Sequence, residues 1–380
     1  MTTLTAGANF QIDTDQFNVS GLLSGNTSNR SSTAFDVNVG SGYVEHYTGT
    51  GLTYDSSYHL VSGTITGLSE TYFGDTVFAM TSLNIDAASW VQWVQNGDNA
   101  AAIAAIFGGN DSITGSLGDD RLNGREGHDI ILGNAGSDTI IGGEGNEHLY
   151  GQSPGGGTDS GDSISGGAGS DYIQGNAGND TLDGGDGTDR INGGKDQDLI
   201  TLGIGNDSAN GNLGNDTIDG GDGNDSLRGG RDDDVLTGGN GDDFLQGDLG
   251  NDTVTGGVGF DTLTGGDGTD TFRFSGNDAL YVSGTTHTDV ITDYTDGSDK
   301  IALGFTVNAV LTGSAQSSLA AGMTYAQQLL DGHGGTGEVA AIQIGTDNYL
   351  FYSSNGGATV DSVIDVKAAA TSAFDTSDFV

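Results

Sequence analysis

Cysteine is absent from the 380 residues, which excludes both disulfides and thiolate-held metal. Proline occurs once, at Pro154, and the longest apolar run, from Ala100 to Phe107, is far too short to cross a bilayer. Cations are scarce: ten basic residues face fifty-three acidic ones, for a formal charge of −43. Such a field repels phosphates, so nucleic acid and anionic lipid surfaces are not expected partners. Apolar residues make up only 34% of the chain. A free chain of this kind repels itself and does not offset its ordering entropy by burial alone. Folding therefore calls for something cationic.

Glycine is abundant, at 70 positions, and much of it is periodic. An acidic residue recurs every nine positions at Asp111, Asp120, Asp129, Asp138 and Glu147. The series resumes at Asp162, Asp171, Asp180, Asp189, Asp198, Asp207, Asp216, Asp225, Asp234, Asp243, Asp252, Asp261 and Asp270. The single irregular step, from Glu147 to Asp162, adds six residues within the stretch 153–160, which reads as a surface loop that keeps the phase. Two residues after each acid stands an aliphatic or aromatic side chain, as in Ile113, Leu122, Ile218 and Phe272, with Ala209 the weakest of the set. One apolar residue in nine, bounded by glycines, does not suit a helix. It suits a three-residue strand whose central side chain points inward. Two nonapeptides then make a coil of eighteen residues with parallel sheets as its two walls.

The GGxGxD stretches between these strands offer hard oxygens in two forms. Glycine permits positive φ, so successive carbonyls can converge, and the acid adds a charged ligand. Candidate ligands are the eighteen acids together with loops such as Gly184-Gly185-Asp186-Gly187, Gly220-Gly221-Asp222-Gly223 and Gly238-Gly239-Asn240-Gly241. Four loops read as poorer sites. Glu147 has the longer arm, Asp162 follows a loop without the fourth-position glycine, and Asp198 and Asp234 follow loops with Asp196 and Asp232 at that position. Aspartate tolerates the left-handed region better than most residues, so these last two read as modified sites.

The block over 106–274 resembles the RTX (repeats-in-toxin) family of calcium-binding proteins. That resemblance implies a parallel β-roll with Ca²⁺ between stacked loops, about 12–16 ions on nine coils, and folding coupled to the metal. The fold expectation is all-β: a parallel β-roll, or calcium-binding solenoid, flanked by β-rich capping domains with a few short helices. Residues 1–105 form the N-terminal cap or assembly domain, with helices near 86–107 starting at Asp86 and Asp98. Residues 275–380 form the C-terminal cap, with a helix that aligns Leu319, Met323, Ala326 and Leu330. In that tail Asp289, Ile291, Asp293, Tyr294, Asp299, Lys300 and Ile301 resemble the segment that follows the last repeat in the family. The acidic end SAFDTSDFV resembles a C-terminal type I secretion signal, and the first residues lack the basic and apolar stretches of a cleavable leader. The resemblance thus implies a secreted, extracellular or cell-surface protein that uses a type I (ABC) exporter.

Catalytic chemistry is not indicated. The histidines, His46, His59, His128, His148, His287 and His333, are scattered without an HExxH, and the glycine-rich strings lack a P-loop lysine. His128 and His148 read as solvated, and Trp90 and Trp93 as core of the N-terminal cap. The leading expectation is a non-enzymatic structural protein of the surface or matrix that self-associates in an S-layer-like lattice or filament. The alternatives are a module that binds cell-surface polysaccharide or a host surface, and an enzyme in the N-terminal region.

Overall fold

A computed structural model describes residues 3–6, 26–28, 30–31, 34–40, 43–54, 60–72, 75–96, 99–152, 160–275, 278, 288–333, 337–353, 359–367 and 374–380. It is 58% strand and winds a parallel β-solenoid of about nine turns with β-rich flanking regions, as the sequence predicts. The chain divides into two compact units, Met1–Gly185 and Asp186–Val380, with the division inside the repeats.

In the first unit an antiparallel sheet runs through Ala34–Gly40, Tyr43–Tyr54, Leu60–Tyr72 and Asp75–Asp86. Thr3–Ala6 pairs antiparallel with the last of these and parallel with Ser112–Thr114, the first repeat strand. The N-terminal sheet is thereby hydrogen-bonded to the solenoid wall. Helix α1 (Ala87–Asn96) starts at Asp86, whose Oδ2 accepts from the backbone of Ser89 at 2.9 Å. This side-chain cap also holds the Asp86 carboxyl below its ordinary pKa. Trp90 on α1 is buried and meets Tyr47 edge-on at 6.3 Å. Helix α2 (Asn99–Phe107) buries Ile106 and Phe107 and runs straight into the first repeat. The side chain of Trp93, the Asp98 position, His59, His287 and the loop at 153–159 lie outside the described residues.

Within the repeats the inward side chains stack in columns, one coil above the next. Leu122 pairs with Ile140, and Ile140 with Ile164, although twenty-four residues separate the last two. The six extra residues therefore leave the register intact. In the second unit one column runs Ile191, Ala209, Leu227, Leu245, Leu263 and Ile291, and the other Ile200, Ile218, Leu236, Val254, Phe272 and Ile301. The strands are longer than the expected triplet: Thr217–Asp222 and Val235–Asn240 each have six residues. Pairing continues because the glycines stay in register, as in Gly203 with Gly221 and Gly221 with Gly239.

After the last repeat, Asp289–Ile291 and Lys300–Ala302 extend the two walls by one further strand each. Ser362–Val366 then joins Asp289–Ile291 and leads into an antiparallel sheet with Asp347–Tyr352 and Glu338–Ile344. Helix α3 (Leu319–His333) covers that sheet through Ala326 and Leu330, which pack with Ile342, Phe351 and Val363. The face read from the sequence is the face that is buried.

Each coil buries little more than two large apolar side chains, so one truncation is felt. Leu245 is fully buried between Leu227 and Leu263. Leu245→Ala is expected to lower unfolding stability in calcium by about 2–5 kcal/mol, read from denaturant titration. A change well under 1 kcal/mol would show that this column does not hold the fold.

Candidate metal centres

All eighteen acids of the nonapeptide series are buried, none more than 4% exposed. That is an extreme position for so many carboxylates, and the loops explain how each is held. In thirteen of them one oxygen is tied to the adjacent coil. The Asp216 amide donates to Oδ1 of Asp234 at 2.8 Å, the Asp234 amide to Asp252 at 2.8 Å, and the Asp243 amide to Asp261 at 2.9 Å. The same bond joins Asp111 to Asp129, Asp120 to Asp138, and, across the longer step, Asp138 to Asp162 and Glu147 to Asp171. It continues from Asp162 to Asp180, Asp189 to Asp207, Asp198 to Asp216, Asp207 to Asp225, Asp225 to Asp243, and Asp252 to Asp270.

The second oxygen is the exception to this order. Oδ2 of Asp129, Asp207, Asp216, Asp225, Asp234, Asp243, Asp252, Asp261 and Asp270 is buried and has no hydrogen-bond partner. Except at Asp207, it faces the α-carbon of the glycine five residues earlier. A methyl group built on Gly220 would collide with Asp225 Oδ2 and with the carbonyl of Gly238, one coil on. The same pair of oxygens meets at Gly166 (Asp171 and the Gly184 carbonyl) and at Gly238 (Asp243 and the Gly256 carbonyl). Carboxylate and carbonyl oxygen thus share a small space that only glycine leaves open. Such hard oxygens suit Ca²⁺. Among the described residues no three His, Cys, Asp or Glu side chains form a cage, so backbone carbonyls must supply most of the ligation. The side chains of Asp186, Asp222 and Asn240 point to solvent, which leaves their carbonyls for that role.

Without a cation many of the buried carboxyls bind a proton more readily than a free carboxyl does. Burial pushes Asp129 and Asp243 up to about 7, Asp234 to about 8, and Asp216, Asp225, Asp252, Asp261 and Asp270 to about 6. Backbone amide donation opposes the rise, and neighbouring carboxylates add to it in most of them.

Several details escaped sequence reasoning. Both carboxylate ladders continue past Asp270: the Asp261 amide donates to Asp289 at 3.0 Å and the Asp270 amide to Asp299 at 3.1 Å. A search in steps of nine misses them because the intervals are twenty-eight and twenty-nine residues. The D-x-I triplets at Asp289 and Asp299 were the available signal. The ends differ. Thr295 donates to the other oxygen of Asp299, whereas Oδ2 of Asp289 is buried without a partner and that carboxyl rises to about 8. A second ladder runs the opposite way along the fifth loop position: Asn224 donates from its amide to Asn206 Oδ1, and Asp242 to Asn224 Oδ1. His128 belongs to it. Its ring is exposed and its Nδ1 also accepts from the Asn146 amide at 2.8 Å, and the exposed His148 rests on Tyr172 at 5.7 Å.

Loop variation also gains a physical reading. Asp196 and Asp232 adopt φ of 72° and 75° in the fourth position, the left-handed state expected for them. Asn134, Asn176, Asn212, Asp248 and Arg125 do the same in the second position. The Asp129 amide makes no bond to Glu147, where the longer side chain interrupts the ladder. Leu202 stands in register with Gly220 and is buried, so a side chain enters the space beside Asp207 that is open elsewhere. This altered site was not among the four expected.

The geometry defines a solenoid whose turns bring a buried carboxylate oxygen against a carbonyl of a neighbouring coil, a donor pair that suits a hard cation. Residues 108–131, 124–153, 156–191, 183–218, 210–245, 219–254 and 246–280 each match the RTX calcium-binding nonapeptide repeat. The chain therefore carries calcium-binding RTX repeats over this block. Among solved structures, the chain is similar to the AlgE6R3 subunit of the Azotobacter vinelandii mannuronan C5-epimerase. The identity is 28%, over 42% of this chain and 80% of that one, with a TM-score of 0.30. It is also similar to the extracellular lipase LipA from Serratia marcescens, at 13% identity over 96% and 85% of the two chains, with a TM-score of 0.19. Comparison with curated proteins gives no match.

The raised carboxyls set a pH dependence of known sign. Each is protonated more readily folded than unfolded, where its value is 3.8. The metal-free fold is therefore favoured in acid and loses this support as pH rises through about 6 to 8. Metal-free protein is expected to gain β-structure by circular dichroism between pH 8 and pH 5, while its apparent calcium affinity falls over the same interval. Loss of β-structure on acidification would contradict the assignment.

Proposed function

We propose that this protein is a non-catalytic, secreted scaffold of the cell surface or extracellular matrix, held folded by calcium. The observation that carries the reading is the commitment of the repeat acids to ladder positions, with one oxygen accepting from an amide of the preceding coil and the other open to a cation in all of the nine named above but Asp207. Carboxylates so fixed serve as ligands, and none is left to move protons on a substrate. On this reading 106–274 is the working part, and 1–105 and 275–380 are its caps. About 12–16 ions bind, at the eighteen acids and the carbonyls of loops such as 184–187, 220–223 and 238–241.

Export follows the same logic. In low calcium the repeats stay open, because buried carboxylates repel and nothing fills the spaces between them. An open chain suits a type I exporter that recognises the C-terminal residues. Millimolar calcium outside, the range of extracellular calcium modules, then closes the coils. Calcium bridging between acidic molecules supports the finer form of the proposal, self-association into a lattice or filament.

A calcium titration followed by circular dichroism should show a cooperative gain of β-signal at about 0.1–1 mM. A full β-signal in excess chelator would refute the coupling. Electron microscopy of the same samples reads assembly, and a monodisperse monomer with and without calcium removes the lattice.

One observation favours a second reading, a module that binds polysaccharide. His148, Tyr150 and Tyr172 gather on the outer face of adjacent coils, with Tyr150 and Tyr172 rings 5.9 Å apart and the Tyr172 hydroxyl bonded to Gln174. Aromatic faces beside an amide suit stacking on an uncharged sugar ring. Tyr172→Ala should then weaken retention on a neutral glycan column at least several-fold, and a glycan screen with no calcium-dependent ligand would remove this reading.

A further inference from the structure

Arg273 lies on the outer face of the last repeat strand, Thr271–Arg273, where its neighbours along the wall are Thr255 on one side and Ala302 on the other. Both are short and uncharged, so nothing in this column fills the space beside the guanidinium. A cavity of about 790 Å³ opens there. Phe274, Phe305, Val307 and Phe379 contribute apolar lining, and Thr255, Ser275, Thr306 and Thr376 contribute hydroxyls.

Two features set this cavity apart from the rest of a very acidic chain. Arg273 is the one charged side chain among the described residues that line it, which also include the C-terminal Val380. Arg273 also makes no ion pair and no side-chain hydrogen bond among the described residues. Arg228, on a strand of the opposite wall, shows the usual alternative, pairing with Asp248. Arg273 is exposed, and its guanidinium presents paired N–H donors that match a carboxylate or sulfonate two at a time. The volume falls within the range of small-molecule sites, which are mostly apolar with a few placed polar groups.

We propose that this cavity binds an organic monoanion, with its acidic group on Arg273 and an apolar body against Phe305, Val307 and Phe379. One charge is the limit the surroundings allow. A formal charge of −43 repels polyanions such as nucleotides or acidic polysaccharide, while a single charge next to an unpaired arginine is attracted locally. The site is separate from the ladders, since Arg273 lies on the outer face of the wall and the acids in the loops between walls. It requires only that the coil carrying Arg273 be folded, not that the protein assemble or be exported.

The test uses the full chain saturated with calcium and isothermal titration with 2-naphthoate, an aromatic monocarboxylate. One equivalent should bind, and 2-naphthamide, the uncharged analogue, should bind about tenfold or more weakly. Arg273→Gln should lose about the same factor for naphthoate, and Arg190→Gln, on the opposite wall, should bind as the parent does. Raising the ionic strength should weaken naphthoate and leave naphthamide unchanged. Equal affinity for acid and amide in the parent protein overturns the proposal whatever the variants do. So does parent-like naphthoate binding by a folded Arg273→Gln, or no binding of naphthoate at millimolar concentration.

Discussion

The buried carboxylate in each turn is the constraint on which the rest depends. Its Oδ1 closes a hydrogen bond to the neighbouring coil and so holds the coils in register, while Oδ2 sits beside a glycine carbonyl with only another oxygen for company. Two oxygens in so small and dry a space repel unless a proton or a cation lies between them. Glycine is required at that point because any side chain would occupy the space. The acid, the glycine and the eighteen-residue spacing are therefore one requirement, met in most loops and relaxed at Leu202 and Glu147.

The apolar core follows from the same geometry. Each triplet sends one side chain inward, and columns such as Ile200, Ile218 and Leu236 stack at the strand spacing. The columns give the coils a dry interior, but a thin one. Hydrophobic burial of this extent does not offset the ordering of glycine-rich loops and the burial of acids together, so the solenoid leans on whatever neutralises the carboxylates. The flanking sheets are built in the ordinary way, with α1 and α3 covering apolar faces that the repeats lack.

Much of this was legible in the residues. The nine-residue period fixes wall, loop and inward position, because each loop is local and contacts only the coils next to it. The Ile140–Ile164 pairing shows that an insertion placed in a loop does not disturb that logic. What remained hidden depends on contacts between coils. The roles of Asp289 and Asp299 lie beyond intervals of irregular length, and the fifth-position ladder uses residues as unlike as Asn224 and His128, united only by an acceptor at one point. Leu202 looks harmless in a list of apolar residues, and its effect is visible only against Gly220 of the next coil. The Arg273 cavity has no periodic signal at all, since its walls come from segments far apart in the chain.

The two side-chain ladders run in opposite directions, one bonding each coil to its successor and the other to its predecessor. A coil removed from the interior of a unit, if it takes eighteen residues with it, leaves both ladders able to rejoin. A nine-residue loss would instead exchange the two walls downstream and bring Asp289 to the edge that Asp299 now closes. The length of such a protein is thus free to drift over evolutionary time in whole turns, with the unequal ends acting as a parity check on what is gained or lost.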